Sequence, residues 1–272
     1  MTDEAWLAAE RAADHAGVRV LTLDDPNDLP MAVRIFDDVW PLESGGTNVM
    51  TNLLRALVHS GGYASVAIDA RSDEVVGAAL AVVGRHREIP GDFDSPWHTH
   101  LHSHMAGVVE QYRNRSVGTA IKLHQRAWAM SMSIDTIVWS FDPLVRRNAW
   151  LNLHKLGTEV RGYEPNFYGD MDDAINAGDP SDRVFAWWLL DSERAIAAAR
   201  SPLPVIGLEE RQDVRRIPTP EDVVALRRES PQKALEWRLR VRADFLAAFE
   251  MGFEVIGMDE GGSYVLRRRI QL

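Results

Sequence analysis

The stretch LHSHMAGVVEQYRNRSVGTAIKLHQR, residues Leu101 to Arg126, decides the fold. It begins as a β-like run, passes through a short polar turn and continues into a helix that starts on small residues. A strand that feeds a helix through such a turn directs several backbone N–H groups at one spot, where the positive end of the helix dipole adds to them. The stretch therefore predicts a site for a pyrophosphate, and with it a nucleotide-bearing cofactor.

The composition is that of an ordinary globular protein, with 46% hydrophobic and 26% charged residues among 272. The absence of cysteine excludes disulfides, thiolate metal sites and a cysteine nucleophile. A formal net charge of −10 argues against sequence-independent binding to nucleic acid. The N-terminus is acidic and amphipathic rather than a secretion signal, and no apolar run is long enough to cross a bilayer. We therefore expect a cytoplasmic protein with no nucleic-acid or membrane partner.

Hydrophobic periodicity and turn residues predict alternating helices and strands up to about residue 192. The predicted helices cover residues 3–15, 29–39, 47 or 48 to 59, 117–131 and 145–156. The predicted strands cover residues 18–23, 63–69, 75–83, 101–109, 135–141, 158–168 and 184–190. This order predicts an α/β fold in which a central mixed sheet carries helices on both faces.

The tail, residues 201–272, has a different pattern. Pro202 and Pro204 mark a linker, and two helices are predicted after Thr219 and Pro231. A hairpin follows over residues 253–257 and 264–268. Because roughly 70 residues make a marginal independent domain, we expect this helix-hairpin extension to pack on the first part of the chain.

The segment VVEQYRNRSVGTAI, Val108 to Ile121, resembles the strand-to-helix signature of the GNAT superfamily of acyl-CoA-dependent N-acyltransferases, V-x-P-x-[YF]-[RQ]-G-x-G-[IV]-G-x-[AL]-L. The matching positions are Val108, Tyr112, Arg113, Val117, Gly118, Ala120 and Ile121. The element order is also similar, over Val18 to Asp191, and the segment Trp139 to Gly157 is similar to a subgroup of predicted acetyltransferases. The resemblance implies a GNAT domain over residues 1–192, with an extra N-terminal helix, and a C-terminal extension over residues 201–272.

The resemblance also implies acetyl-CoA, or another acyl-CoA, as co-substrate and no metal. The backbone of Val108 and Val109 would bind the pantetheine arm like an added strand. The pyrophosphate would lie in the loop and at the start of the helix, at Arg113, Asn114, Arg115, Ser116, Val117, Gly118, Thr119 and Ala120. The implied reaction is direct attack by an amine of a small molecule or a peptide on the thioester.

The sequence departs from the family pattern at three positions. Asn114 and Ser116 stand where the family usually has glycine, and Ser116 adds a Cβ where a phosphate would come close. Leu153 stands where many members have a tyrosine that serves as general acid. An acid would then have to come from Tyr168, from Tyr112 or from water.

Asn148 has two interpretations. An asparagine early in this helix often contacts the cofactor in the family, and Asn148 could equally cap the helix after Pro143.

Four histidines, at positions 98, 100, 102 and 104, alternate along the opening strand and so share one face. As zinc ligands they lack an acidic partner at a diagnostic spacing. As catalytic groups, His102 or His104 would remove the proton of the substrate or position it, since imidazole is suited to proton transfer near neutral pH. The third interpretation is packed or loop histidines with hydrogen-bond partners.

Three functions follow from these observations. The first is an N-acyltransferase. The second is a degenerate GNAT-fold protein that binds CoA or another ligand without acetyl transfer, or a thioester decarboxylase, because of Asn114, Ser116 and Leu153. The third, a metal-dependent hydrolase, would rest on the histidine row. For the tail three roles stay open: a cover for the acceptor cleft, an added sheet edge, and a homodimer contact.

Overall fold

The computed structural model describes residues 2–42, 44–87, 94–169, 171, 178–207 and 213–269. Its helices are α1 Thr2–Ala16, α2 Leu29–Val39, α3 Thr51–His59, α4 Val117–Ser131, α5 Arg146–Trp150, α6 Glu193–Arg200, α7 Val223–Glu229 and α8 Pro231–Glu250. Its strands are β1 Val18–Thr22, β2 Tyr63–Asp69, β3 Val75–Arg87, β4 Trp97–Val108, β5 Thr136–Phe141, β6 Glu159–Glu164, β7 Arg183–Leu189, β8 Val214–Ile217, β9 Phe253–Met258 and β10 Tyr264–Arg268. None of the helices in these ranges is long and apolar enough to cross a membrane.

The strands form two sheets. Seven strands lie in the order β1-β2-β3-β4-β5-β7-β6, and three form a second sheet in the order β8-β10-β9. Strands β1 to β4 pair antiparallel, β4 and β5 run parallel, and β6 pairs antiparallel with β7. The predicted α/β class with a mixed sheet is thus confirmed.

The chain divides into two compact units. The first unit consists of residues 1–139 and 189–192, and the second of residues 140–188 and 193–272. This division differs from the predicted one, which placed residues 140–188 with the N-terminal part. The reason is that α8 packs on β6, while β9 packs on β6 and on the segment after α5. The tail therefore shares a core with residues 140–188.

The first unit carries helices on both faces of its strands. Helices α2 and α3 cover one face, where Phe36 and Leu54 lie in one buried cluster with Ala78 and Leu80 of β3. Helix α4 covers the other face, since a Cβ added at Gly77, the neighbour of Ala78, would lie 2.9 Å from the Ile121 side chain. Helix α1 packs on α4. Successive β3 residues therefore face opposite helix layers.

Buried ion pairs stabilise the second unit. Asp142, just after β5, accepts two hydrogen bonds from Arg238 of α8, at 2.8 and 2.9 Å, and pairs with Arg227 of α7. The same two arginines pair with Asp179 at 2.8 Å. Each of these four side chains is at most 7% exposed. Since each buried charge has opposite charges beside it, the network fixes the two tail helices to the loops that follow β5 and precede β7.

Two predicted helices have different bounds in the structure. Helix α3 begins at Thr51, with Met50 as its N-cap, and not at residue 47 or 48. The Asn48 side chain donates instead to the carbonyls of Phe36 and Trp40, at 3.3 and 2.8 Å, and so closes the end of α2. The helix predicted over residues 145–156 is α-helical only in α5 and continues as a π-helix over Leu151–Lys155.

Candidate active site

The loop between β4 and α4 contains no glycine but adopts the left-handed backbone conformation that glycine favours. After a short 3₁₀ turn, Glu110–Tyr112, the chain reaches Asn114 and Ser116, both with a φ of 63°. These are the two positions at which the sequence departs from the family's glycines. Left-handed backbone favours glycine, yet asparagine and serine adopt it here. The turn that glycine normally provides is therefore retained.

The start of α4 presents backbone amides. The amides of Val117, Gly118 and Thr119 precede the first intrahelical hydrogen bond, which runs from the Ala120 N–H to the Ser116 carbonyl at 3.0 Å. Three donors therefore stand at the positive end of the helix dipole, an arrangement that favours an anion. The expectation for Ala120 is not supported, because its amide is already a donor within the helix.

Two guanidinium groups flank this loop. Arg113 Nε donates to the Val108 carbonyl at 3.4 Å, and the Arg115 guanidinium lies over the Tyr112 ring at 4.8 Å. A Cβ added at Gly118 would meet nothing within 4 Å, so the backbone there is open to approach. Amides, two cations and an open glycine together suit a diphosphate.

The end of β4 offers its backbone on one side only. The Val109 amide donates to the Val76 carbonyl of β3 at 3.0 Å, so it is not available to a pantetheine arm, contrary to the expectation for Val109. Because successive peptide groups of a strand point in opposite directions, the N–H and C=O of Val108 point away from β3. Val108 alone keeps the predicted orientation.

Strands β4 and β5 separate after a short parallel contact. In the described part of the chain, their register consists of Leu101 with Ile137 and His102 with Val138. Strand β4 continues for six residues beyond this point, paired with β3. We call the point of separation, directly after His102 and Val138, the fork. A fork of this kind leaves room for an extended ligand to pair with the edge of β4.

The four histidines do form a row. Strand β4 begins at Trp97, four residues earlier than predicted, because it pairs with β3 as far as Arg87. The ring centroids of His100 and His102 are 6.4 Å apart, and those of His102 and His104 are 6.3 Å apart. His86 of β3 joins the row, with its Nδ1 3.0 Å from Nδ1 of His100.

The row lies on the face opposite α4. Ser103, the neighbour of His102, contacts the α4 side chain Lys122, so His102 points the other way. His104 is the extra residue of a β-bulge, because Leu80 pairs with Met105 and Ala81 with Ser103. His102 is half-buried and His104 is exposed.

Burial favours the neutral form of these imidazoles. Desolvation, with smaller contributions from His86 and His102, lowers the pKa of His100 to about 4. Desolvation, with His104 and Lys122, lowers the pKa of His102, and desolvation lowers that of His104. Neutral imidazoles accept protons, so His102 and His104 are in the form a general base requires at neutral pH. The residues that the structure describes contain no group of three or more side chains able to hold a metal ion.

Three further residues named in the sequence analysis lie in the second unit. The Tyr168 hydroxyl is 3.0 Å from Ser140 Oγ, and its ring is 40% exposed. Asn148 lies within α5, whose N-cap is Val145 without a side-chain cap bond, so the capping interpretation of Asn148 is wrong. Leu153 is fully buried in the π-helix. The position where many family members have a tyrosine is therefore a core position here.

Sequence reasoning missed Lys122. A lysine within a helix usually indicates a solvated face, yet Lys122 is 4% exposed. The sequence did indicate burial, because the residues on both sides of Lys122, Ile121 and Leu123, are apolar. In the structure α4 is buried nearly all round.

Known proteins match this chain in structure only, since no family model and no curated protein matches it. The structure is similar to Arabidopsis thaliana NAA60 in complex with acetyl-CoA, with 16% identity, a TM-score of 0.49 and coverage of 64% of this chain and 99% of that one. It is similar to the ribosomal-protein-S18-alanine N-acetyltransferase of Escherichia coli, with 12% identity, a TM-score of 0.46 and coverage of 71% and 99%. It is also similar to the putative acetyltransferase yncA of Salmonella typhimurium with acetyl-CoA, with 16% identity, a TM-score of 0.45 and coverage of 66% and 97%.

Proposed function

We propose that this protein is a GNAT-type N-acyltransferase that transfers an acetyl group from acetyl-CoA to an amine of a small molecule or a peptide. One observation carries the proposal: the left-handed loop at Asn114 and Ser116 leads into three helix-terminal amides, beside the fork of β4 and β5. An anion cradle next to an open strand edge suits a ligand that joins a diphosphate to an extended amide-bearing arm, as coenzyme A does.

The backbone of Val108 would pair with the pantetheine arm, and the amides of Val117, Gly118 and Thr119 would bind the diphosphate. Arg113 and Arg115 add positive charge at the same loop. Acetyl-CoA supplies the acyl group as an activated thioester. These contacts fix its direction along β4, so that the thioester end would lie toward the fork.

We assign proton removal to His102. It is the last β4 residue before the fork, it is half-buried, and burial and its neighbours favour its neutral form. Its imidazole would take a proton from the substrate ammonium, and the amine lone pair would then attack the thioester carbonyl carbon. The C–N bond forms, the C–S bond breaks, and the second proton of the amine goes to the leaving thiolate. His104, one step further along the row, is the second candidate for the base.

Calorimetry and a thiol assay test the proposal. We expect the full chain to bind CoA and acetyl-CoA with measurable heat, and to release free thiol when an amine from a panel of small amines and peptides is added to acetyl-CoA. Binding of CoA without thiol release from any amine would indicate the degenerate ligand-binding protein. Loss of CO₂ from malonyl-CoA, with acetyl-CoA as product and without release of free thiol, would indicate a decarboxylase. No heat with either CoA species would overturn the proposal.

A further inference from the structure

Helix α4 places a lysine, Lys122, inside the first unit. Lys122 Nζ donates to Ser103 Oγ at 2.8 Å and to Gln125 Oε1 at 3.1 Å. It also lies 3.8 Å from the centroid of the Trp139 ring. Within the described ranges no aspartate or glutamate forms an ion pair with it. Burial alone lowers the pKa of Lys122 to about 7. A buried cation without a counter-ion costs stability, and such groups occur chiefly where they have a function.

The lysine lies directly beneath the fork. The last paired residues of β4 and β5 are His102 and Val138. The next residue on each strand, Ser103 on β4 and Trp139 on β5, is a contact of the Lys122 amine. The charge is therefore located at the separation of the two strands, on the face of β4 opposite the histidine row.

We propose that Lys122 is a positioning residue that acts through His102: its ammonium keeps the imidazole on the other face of β4 neutral and so able to accept a proton. The inference rests on the proposed role of His102 as the base. Two like charges separated only by a strand repel each other, which disfavours a protonated His102 while Lys122 is protonated. In agreement with this, the pKa of His102 is lowered, and the charge of Lys122 contributes to the lowering.

Other ionisable groups face the pair from the neighbouring elements. On the histidine face these are His100 and His104 of β4 and His86 of β3. On the helix face they are His124, whose Nδ1 is 2.8 Å from the Tyr63 hydroxyl of β2, and Arg126, which donates to the Leu190 carbonyl. Glu4 and Asp191 act on Arg126, whereas burial is the one cause of the lowered pKa of Lys122, to which no carboxylate contributes among the described residues.

An NMR titration of the full chain, without any substrate, tests the inference. The His102 imidazole is followed from pH 4 to 8 in the wild type, in Lys122→Met, in Lys122→Arg and in Tyr63→Phe. We expect the His102 midpoint to rise by about half to one pH unit in Lys122→Met, since the repulsion is removed. It should keep its wild-type value in Lys122→Arg, which retains the charge. Tyr63→Phe, the matched control, removes a polar contact of α4 away from the fork and should leave the midpoint unchanged.

An unchanged His102 midpoint in Lys122→Met would overturn the inference. If Lys122→Met does not fold, Lys122→Gln replaces it, because its amide can keep the hydrogen bond to Ser103 without the charge. In the transfer assay, the acid limb of kcat/KM should move to higher pH in Lys122→Met, with a loss that approaches three- to tenfold at pH values below both His102 midpoints and little loss at pH 8.5. A wild type that shows no transfer with any amine refutes the proposed function, whereas the NMR result stands or falls by itself.

Discussion

Asn114 and Ser116, two residues apart in the loop before α4, share one backbone conformation, with a φ of 63° at both. For residues with a Cβ this conformation costs roughly 1 to 2 kcal/mol each, and asparagine tolerates it better than serine. The loop is therefore held in place by its flanks, strand β4 and helix α4. The family's glycines indicate which backbone the loop needs, and this chain reaches it at a cost in strain.

Ser116→Gly should stabilise the protein. The serine is the N-cap residue of α4 but makes no side-chain cap bond, so glycine removes strain without removing a contact. The free energy of unfolding should rise by up to about 1 kcal/mol, because the greater entropy of the unfolded chain with glycine offsets part of the removed backbone strain. Urea unfolding measures it. Ala120→Gly, inside the same helix where φ is helical, should instead destabilise by about 1 kcal/mol. Equal losses in both variants would contradict the strain argument.

Gly118→Asp should weaken CoA binding while the fold persists. A Cβ at this position meets nothing within 4 Å, and a carboxylate in the first turn of a helix stabilises the helix. The same carboxylate would repel a diphosphate at the cradle, so the Kd for CoA should rise more than about tenfold. Gly118→Ala, which adds the Cβ without the charge, should bind CoA less tightly than the wild type and more tightly than Gly118→Asp. Calorimetry compares the three proteins, and undiminished binding by Gly118→Asp would place the diphosphate elsewhere.

His102→Gln should lower kcat for acetyl transfer by about 100-fold, since removal of a general base typically costs this much or more. His104→Gln should lower kcat less than about tenfold, because His104 is exposed and is the extra residue of the bulge. The thiol-release assay at saturating acetyl-CoA gives both values, with His15→Gln on the exposed end of α1 as control. A larger loss in His104→Gln than in His102→Gln would reverse the assignment of the base.

The sequence predicted those parts of the fold that depend on local pattern. Alternation and helical period predicted the order of the strands and helices up to residue 192, although α6 and β8 were missed. The shared face of His102 and His104 followed from the period of two. What failed depends on distant partners. Asn48 is a reasonable N-cap by residue type, but its side chain closes α2 instead, through Trp40. Strand β4 starts at Trp97 because Arg87, ten residues earlier, pairs with it.

The same division holds within the candidate site. The loop before α4 was predicted from the resemblance to the family pattern, but the left-handed backbone of Asn114 and Ser116 was not. The loss of the Ala120 and Val109 amides to internal hydrogen bonds was not expected, since it depends on where α4 begins and on the pairing with Val76. The burial of Lys122 could not be read from spacing either, because it depends on Ser103 and Trp139, which other segments supply.

Acidification should destabilise the protein through His124. Desolvation lowers the pKa of this imidazole to about 4, and its Nδ1 accepts the Tyr63 hydroxyl when neutral. A histidine with a lowered pKa in the folded state contributes stability that is complete above its unfolded pKa of about 6.5 and is lost as the pH falls from there toward 4. The decrease in the free energy of unfolding between pH 7 and pH 4.5 should be roughly 2 kcal/mol smaller in His124→Gln than in the wild type. Urea unfolding at both pH values measures it, and an identical pH dependence in the variant would assign the effect to other groups.

Arg238→Met should destabilise the protein by about 3 to 5 kcal/mol, because it leaves the Asp142 carboxylate buried without its bidentate partner. Burial raises the pKa of Asp142, but Arg238 above all, then Arg227 and the Leu144 amide, hold it below its usual range. Arg238→Met therefore removes the largest contribution that stabilises the buried carboxylate. Asp142→Leu combined with Arg238→Met removes both charges and should recover part of the loss, although Arg227 then loses one of its two partners. Arg240→Met, on the exposed side of α8, is the matched control and should cost less than about 0.5 kcal/mol. The alternative outcome is that Asp142→Leu lowers the free energy of unfolding by the same amount in Arg238→Met as in the wild type. In that case the two side chains do not act as a pair, and the tail is held by its apolar contacts.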